Sequence, residues 1–348
     1  MLFMPAPVLR ALSLALLGLC VALGAARADL VWTPATGWRI EGGALSGLTG
    51  ANGNRALKMM NDARKAEERG HVLSAIHAYQ KVAKEFASSI YAPEAFYRIG
   101  QLRLGRKQYY KAFEAFQSEI ARYPNEKRFS ELIGEEYKIS SMLLDGARNH
   151  IWGVIPGFRS TERAIAYLAV VVQNAPYSDY APLALMAEAR GSEKLQNTED
   201  AIDALDQMVN TYQESVLVPF AYLELARMHA SLVEGAYYDQ AETREAITYY
   251  EDFMILFPGD SNIGKAAQGL DTMKRVLAES KIKIGDFYFL KRDNYTAARV
   301  FYNEAITAYP DSEVASRAKL KLAAVEAKAS GTLAPAPAAP KKKHFLLF

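Results

Sequence analysis

Residues Phe96 to Pro124 read FYRIGQLRLGRKQYYKAFEAFQSEIARYP, and within them Gly100, Ala112, Phe116 and Pro124 follow one another at spacings of twelve, four and eight residues. The spacing predicts a helical hairpin. Gly100 and Ala112 are small where two antiparallel helices approach, Phe96, Ile99 and Phe116 fill the seam, and Pro124, which lacks an N–H, ends the second helix. The four-and-eight spacing recurs in Ala164, Leu168 and Pro176 and in Ala246, Tyr250 and Pro258. Ala75, Tyr79 and Phe86, and Ala201, Leu205 and Tyr212, repeat it without the proline. Ile284, Gly285, Ala297 and Phe301 carry it near the end, with Tyr309 and Pro310 one position late. The chain is therefore expected to be all-α, a tetratricopeptide-like superhelical solenoid of about six helix hairpins, each burying its apolar face against its neighbours.

The hairpins are placed at 56–69 with 72–87, 93–105 with 108–122, 129–146 with 160–174, 182–195 with 198–212, 219–233 with 242–257, and 265–290 with 294–308. Equivalent alanines stand 37 residues apart from Ala75 to Ala112 and from Ala164 to Ala201. The extra length over a 34-residue repeat lies in two similar connectors, Ser89 to Pro93 and Ser178 to Pro182, each with proline expected at the first position of the next helix. Two hairpins are interrupted between their helices, by Gly146 to Ser160 and by Glu234 to Glu242. Those loops are expected to project, and projecting loops on a rigid scaffold are where partners are read.

Composition agrees with a globular repeat protein, since 348 residues with 50% hydrophobic and 23% charged can bury a core. The 41 Lys and Arg face 39 Asp and Glu, and because residues 1–28 hold Arg10, Arg27 and no acid, the remainder balances 39 bases against 39 acids. That balance argues against nucleic acid as a partner.

Residues 1–28 combine Arg10, an apolar run from Ala11 to Leu23 and the small-residue pattern Ala26-Arg27-Ala28, which reads as an export signal with cleavage after Ala28. Cys20 is the alternative lipidation position, although Leu19 stands where a lipoprotein signal carries a small side chain, and as the single cysteine it has no partner for a disulfide. Residues 29–55, rich in glycine and carrying Trp32 and Trp38 off helical spacing, read as an extended N-terminal arm, either a docking segment or a tether. Residues 56–330 hold the repeats. Residues 331–348 are an alanine and proline linker followed by Lys341, Lys342, Lys343, His344 and the apolar end Phe345 to Phe348, expected to be disordered.

No enzymatic constellation is visible. The histidines at 71, 77, 150, 229 and 344 show no metal-ligand spacing, so neither a metal nor another cofactor is expected. Gly259 to Lys265 matches the start of a phosphate-binding loop, but Ala266 stands where a Ser or Thr hydroxyl holds magnesium. The stretch also follows a helix end at Phe257-Pro258 instead of a strand, so it reads as an inter-repeat turn. The first helix of each hairpin builds the concave wall of a solenoid, which puts Glu94, Tyr97, Gln101 and Leu104, a turn apart, in a mixed aromatic and polar groove suited to a peptide. The alternative for Tyr97 is packing against the next repeat.

The segment from Tyr237 to Pro310 resembles the C-terminal half of BamD-type outer-membrane protein assembly factors. It carries Asp239, Gln240, Thr243 and Arg244 before a helix ending in Phe257-Pro258, then Gly285, Phe287, Tyr288 and Tyr295 in the last repeat. Residues 62–124 resemble the family's first two repeats, and six helix pairs stand here against the family's usual five. The resemblance implies a periplasmic scaffold, at the inner face of the outer membrane, that binds the POTRA domains of a barrel insertase and other subunits of the machine and receives unfolded outer-membrane proteins. It marks Asp239, Gln240, Thr243 and Arg244, with the turn Lys291, Arg292 and Asp293, as insertase contacts. The alternative within the same fold is another periplasmic adaptor, such as a coordinator of the Tol-Pal system. That reading would call for an N-terminal coiled coil, and residues 29–55 hold no heptads.

Overall fold

A computed structural model describes residues 29–41 and 50–331; the stretch read as an export signal, with Cys20 and Ala28, and the tail from residue 332 on, lie outside the described residues. The described residues form thirteen helices and two short antiparallel hairpins: β1 (Asp29–Thr33), β2 (Gly37–Glu41), α1 (Gly50–Glu68), α2 (Val72–Glu85), α3 (Tyr91–Gly105), α4 (Tyr109–Arg122), α5 (Phe129–Leu144), β3 (His150–Ile151), β4 (Ile155–Pro156), α6 (Thr161–Asn174), α7 (Tyr180–Lys194), α8 (Thr198–Thr211), α9 (Val218–Ser231), α10 (Ala241–Leu256), α11 (Ile263–Lys291), α12 (Tyr295–Ala308) and α13 (Glu313–Ala329). Contacts divide the chain within α7 into two compact units, Met1–Ala187 and Glu188–Phe348.

In the first unit α1 to α6 pack in succession. In α4, Tyr109, Ala112, Phe113, Phe116, Glu119 and Ile120 are buried at the three-and-four spacing of one helix face. Phe116 is fully buried, worth roughly 1.5–3 kcal/mol relative to exposure. The glycine of the opening motif is needed there, because a β-carbon on Gly100 would overlap the Phe116 ring. The Ser89 and Ser178 connectors fold alike, each hydroxyl donating to the carbonyl three residues back, on Phe86 at 2.6 Å and on Ala175 at 2.8 Å. The helices start at Tyr91 and Tyr180, so Pro93 and Pro182 take the third helical position and not the first; both remain in the turn whose N–H groups have no intrahelical acceptor.

The arm expected over 29–55 is ordered where it is described. Residues 29–41 form a hairpin with Asp29 opposite Glu41 and Thr33 opposite Gly37, and α1 already begins at Gly50. Trp38 is buried among Ala56, Met60, Tyr79 and Ile99. Asn61 of α1 pairs with the strand as another strand would, its Oδ1 accepting from Trp38 N at 2.7 Å and its Nδ2 donating to Trp38 O at 3.3 Å. The Arg64 guanidinium lies 4.1 Å from the Trp32 ring centroid. Off-period tryptophans that suggested no structure are thus the anchors of a hairpin that packs on the first repeat.

In the second unit α8 to α13 pack in succession. The last hairpin is shifted by one residue from the expected register. Ala298 and Tyr302, not Ala297 and Phe301, are fully buried, and with Pro310 they restore the four-and-eight spacing. Gly285 lies under Tyr302, 2.7 Å from ring to an added β-carbon. Beyond the expected helices, α13 is capped by Ser312, whose hydroxyl accepts from Ala315 N at 3.0 Å, and its Val314, Ala318 and Val325 close the core around Tyr302. It supplies the covering helix that a terminal repeat needs.

Candidate functional site

The four residues expected on a groove wall lie on α3. Glu94 is buried and ion-paired, to Arg98 Nε at 2.8 Å and to the Arg128 guanidinium at the start of α5. Tyr97 donates its hydroxyl to Glu131, its ring lies 6.2 Å from Phe116 and 4.4 Å from the Arg128 guanidinium, and Gln101 and Leu104 are half-buried. Burial, with the bond to Glu131, pushes the Tyr97 phenol up to about 12. Glu94 also lines a cleft of about 600 Å³ between β1, the α2–α3 connector and the α4–α5 turn. Its walls include Leu30, Val31, Pro93 and Tyr123, and Lys127 Nζ bridges it to Asp29 at 2.6 Å.

Sequence reasoning missed the acid beneath this cluster. Glu119 of α4 is fully buried, neither carboxyl oxygen has a hydrogen-bond partner, and Arg128 Nε stands 4.0 Å away. Desolvation raises its carboxyl to about 8. Glu136 of α5 is likewise raised to about 8 by burial, against one bond from Asn174 Nδ2 at 3.1 Å. Both stand at positions of an apolar helical stripe, and no local pattern distinguishes a buried carboxyl there from a solvated one.

In the second unit, Asp239, Gln240 and Thr243 build the entry to α10. Gln240 is buried, donating from Nε2 to Gly235 O at 3.0 Å and Tyr238 O at 2.9 Å while its Oε1 accepts from the buried Thr243 hydroxyl at 3.0 Å. Asp239 Oδ1 accepts from Ala241 N at 3.2 Å. These groups shape the loop; Asp239, Arg244, Tyr237 and Tyr238 are its exposed surface. Lys283 of α11 sets its ammonium 3.0 Å from the Tyr237 ring centroid. Lys283 precedes Lys291 by eight residues on one helix, about 12 Å along it. The loop and the turn of Lys291, Arg292 and Asp293 are therefore held along one helix, though they are some fifty residues apart in sequence. All three turn residues are exposed, with Arg292 5.3 Å from the Phe287 ring and Asp293 paired to Lys328 at 3.3 Å.

The Gly259 to Lys265 stretch is the α10–α11 turn, with Asp260 Oδ1 accepting from Asn262 N at 2.7 Å and Ala266 fully buried. Among the described residues there is no group of three or more His, Cys, Asp or Glu able to hold a metal ion, and no helix is long and apolar enough to cross a membrane. What the two units offer is shaped surface with fixed charges and aromatic rings, which suits the binding of protein segments.

A family model described as outer membrane lipoprotein (YfiO) matches residues 158–339, and a tetratricopeptide-repeat model matches residues 94–126. No curated protein matches the chain. Similar solved structures include a tetratricopeptide-repeat protein from Parabacteroides merdae, 13% identical over 77% of this chain and 98% of that one with a TM-score of 0.30. MamA from Desulfovibrio magneticus is 18% identical over 61% and 99%, with a TM-score of 0.30, and PilF from Pseudomonas aeruginosa 12% identical over 78% and 100%, with a TM-score of 0.29.

Proposed function

The chain belongs to the outer membrane lipoprotein family whose model spans residues 158–339, and from that membership we propose that it is a non-enzymatic periplasmic scaffold of the machinery that assembles β-barrel proteins into the outer membrane. Its second unit binds the POTRA domains of the barrel insertase through the exposed parts of the Asp239 to Arg244 loop and the Lys291 to Asp293 turn. Its first unit receives unfolded outer-membrane proteins on the surface of α3, beside the cleft that Glu94 lines.

The observation that carries this reading is that the family match contains the whole Tyr237 to Pro310 segment, in which loop and turn stand along α11. Aromatic and cationic side chains on a rigid helix are the groups that dominate protein interfaces. Affinity purification of the full chain from envelope extracts tests it. A POTRA-bearing barrel protein is expected to co-purify at physiological salt. Its absence from the purified material, with other envelope proteins in its place, refutes the assignment.

A further inference from the structure

The loop from Gly146 to Ser160 does not simply project; it forms the β3–β4 hairpin and seats its base on the α3–α4 turn. His150 N donates to Lys107 O at 2.8 Å, Tyr110 N donates to Asn149 Oδ1 at 3.2 Å, and Gly157 N donates to Asn149 O at 2.9 Å. The Arg106 guanidinium donates to the Trp152 carbonyl, and Trp152 and Gly153 hold left-handed backbone at φ 53° and 81°. A bulky side chain in that region is strained and persists only where its surroundings enforce it. The enforced result is outward presentation: Trp152 is 72% exposed, Val154 68% and Phe158 95%, with Ile151 and Ile155 exposed beside them.

The loop and the turn beneath it carry charge of one sign. Residues 103–111 and 146–160 contain Arg103, Arg106, Lys107, Lys111, Arg148 and Arg159 and not one Asp or Glu, in a chain with 41 Lys and Arg against 39 Asp and Glu. None of the six forms an ion pair among the described residues. A pocket of about 160 Å³ opens under the hairpin, lined by Gln108, Lys111, Asn149, His150, Ile151 and Trp152.

We propose that the β3–β4 hairpin docks the protein on an anionic phospholipid bilayer, with Trp152, Val154 and Phe158 entering the acyl boundary and the exposed cations Lys107, Lys111, Arg148 and Arg159 meeting the headgroup phosphates. An apolar patch of this kind on a protein surface marks a contact. Here apolar side chains, tryptophan among them, share one loop with Arg148 and Arg159, which form no ion pair among the described residues. That is the arrangement matched by a membrane interface, where aromatic rings sit at headgroup level and basic residues are attracted to anionic lipid.

The test uses the purified full chain and no assembly partner, so its outcome is independent of the scaffold reading. Flotation with vesicles of phosphatidylglycerol and phosphatidylethanolamine is compared with phosphatidylcholine vesicles. Arg148→Gln with Arg159→Gln is expected to weaken binding to the anionic vesicles roughly twentyfold, at about fivefold per charge. Trp152→Ser with Phe158→Ser is expected to weaken it at least about twentyfold, from the loss of two apolar side chains, with an unchanged melting temperature because both are exposed. Brominated acyl chains should quench tryptophan emission in the native chain and lose that quenching in Trp152→Phe, which still binds. Equal vesicle affinity of the native chain and the Trp152→Ser, Phe158→Ser variant overturns the proposal. So does a variant that keeps its vesicle affinity but loses a co-purifying protein, since the tip would then be a protein-docking site.

Discussion

Glu119→Gln removes a carboxyl from the interior of the first unit while keeping its shape. Burial raises the Glu119 carboxyl from 4.5 to about 8, so between those values the folded chain holds a proton that the unfolded chain has released. The resulting stability is complete below the unfolded value and is lost as pH rises through the window, at about 1.4 kcal/mol per pH unit and about 5 kcal/mol in all. Between about pH 6 and about pH 9 some two units of that window are crossed, a loss of about 3 kcal/mol that the neutral glutamine does not suffer. Urea denaturation followed by circular dichroism at the two pH values measures it. The stability of Glu119→Gln relative to the native chain should shift in the variant's favour by about 3 kcal/mol from the lower pH to the higher, the Glu136 contribution cancelling because both proteins contain it. Parallel losses in the two proteins would refute the reasoning, for they would mean that Glu119 is already ionised at the lower pH and held by Arg128 across 4.0 Å.

Gly100→Ala places a β-carbon inside the Phe116 ring and should cost roughly 1–3 kcal/mol by overpacking, read as a lowered melting temperature; an unchanged midpoint would mean that the two helices do not cross there. Asn61→Ala leaves the backbone of the buried Trp38 unpaired and should cost roughly 1–3 kcal/mol. Amide exchange over 29–41 should accelerate in that variant well before exchange in α1, and unaltered protection would show that apolar packing alone holds the hairpin. Reversing the charges of Lys291 and Arg292 together should abolish co-purification of the POTRA-bearing protein with little change in melting temperature, because both are exposed; retention at physiological salt would remove these two residues from the interface.

The repeat architecture was legible in the sequence because each hairpin states its own packing. A small residue, an aromatic four positions on and a proline eight further on are local demands of two helices in contact. They hold for Ala112, Phe116 and Pro124 as for Ala246, Tyr250 and Pro258. Even the last repeat obeyed them, one residue from the expected place. The proposed insertase contacts came from a resemblance, and their position could not be read from spacing: the loop at 239–244 and the turn at 291–293 stand along α11 because α10 packs on it and Tyr237 meets Lys283.

Tertiary structure alone decided the rest, wherever the partner of a residue is distant in the chain. Trp38 is a core residue because Asn61, twenty-three positions away, pairs with its backbone, and no periodicity encodes that. Glu119 and Glu136 occupy helix positions that a hydrophobic pattern marks as inward, yet only the packed neighbours remove the water that would ionise them. The loop at 146–160 read simply as projecting. Its apolar tip is set by bonds to the α3–α4 turn, among them that from Arg106, forty-six residues before the carbonyl it holds. Helix propensity and hairpin spacing act over a few turns and are written in sequence, whereas burial, charge compensation and the exposure of a loop are sums over neighbours that exist only once the chain has folded.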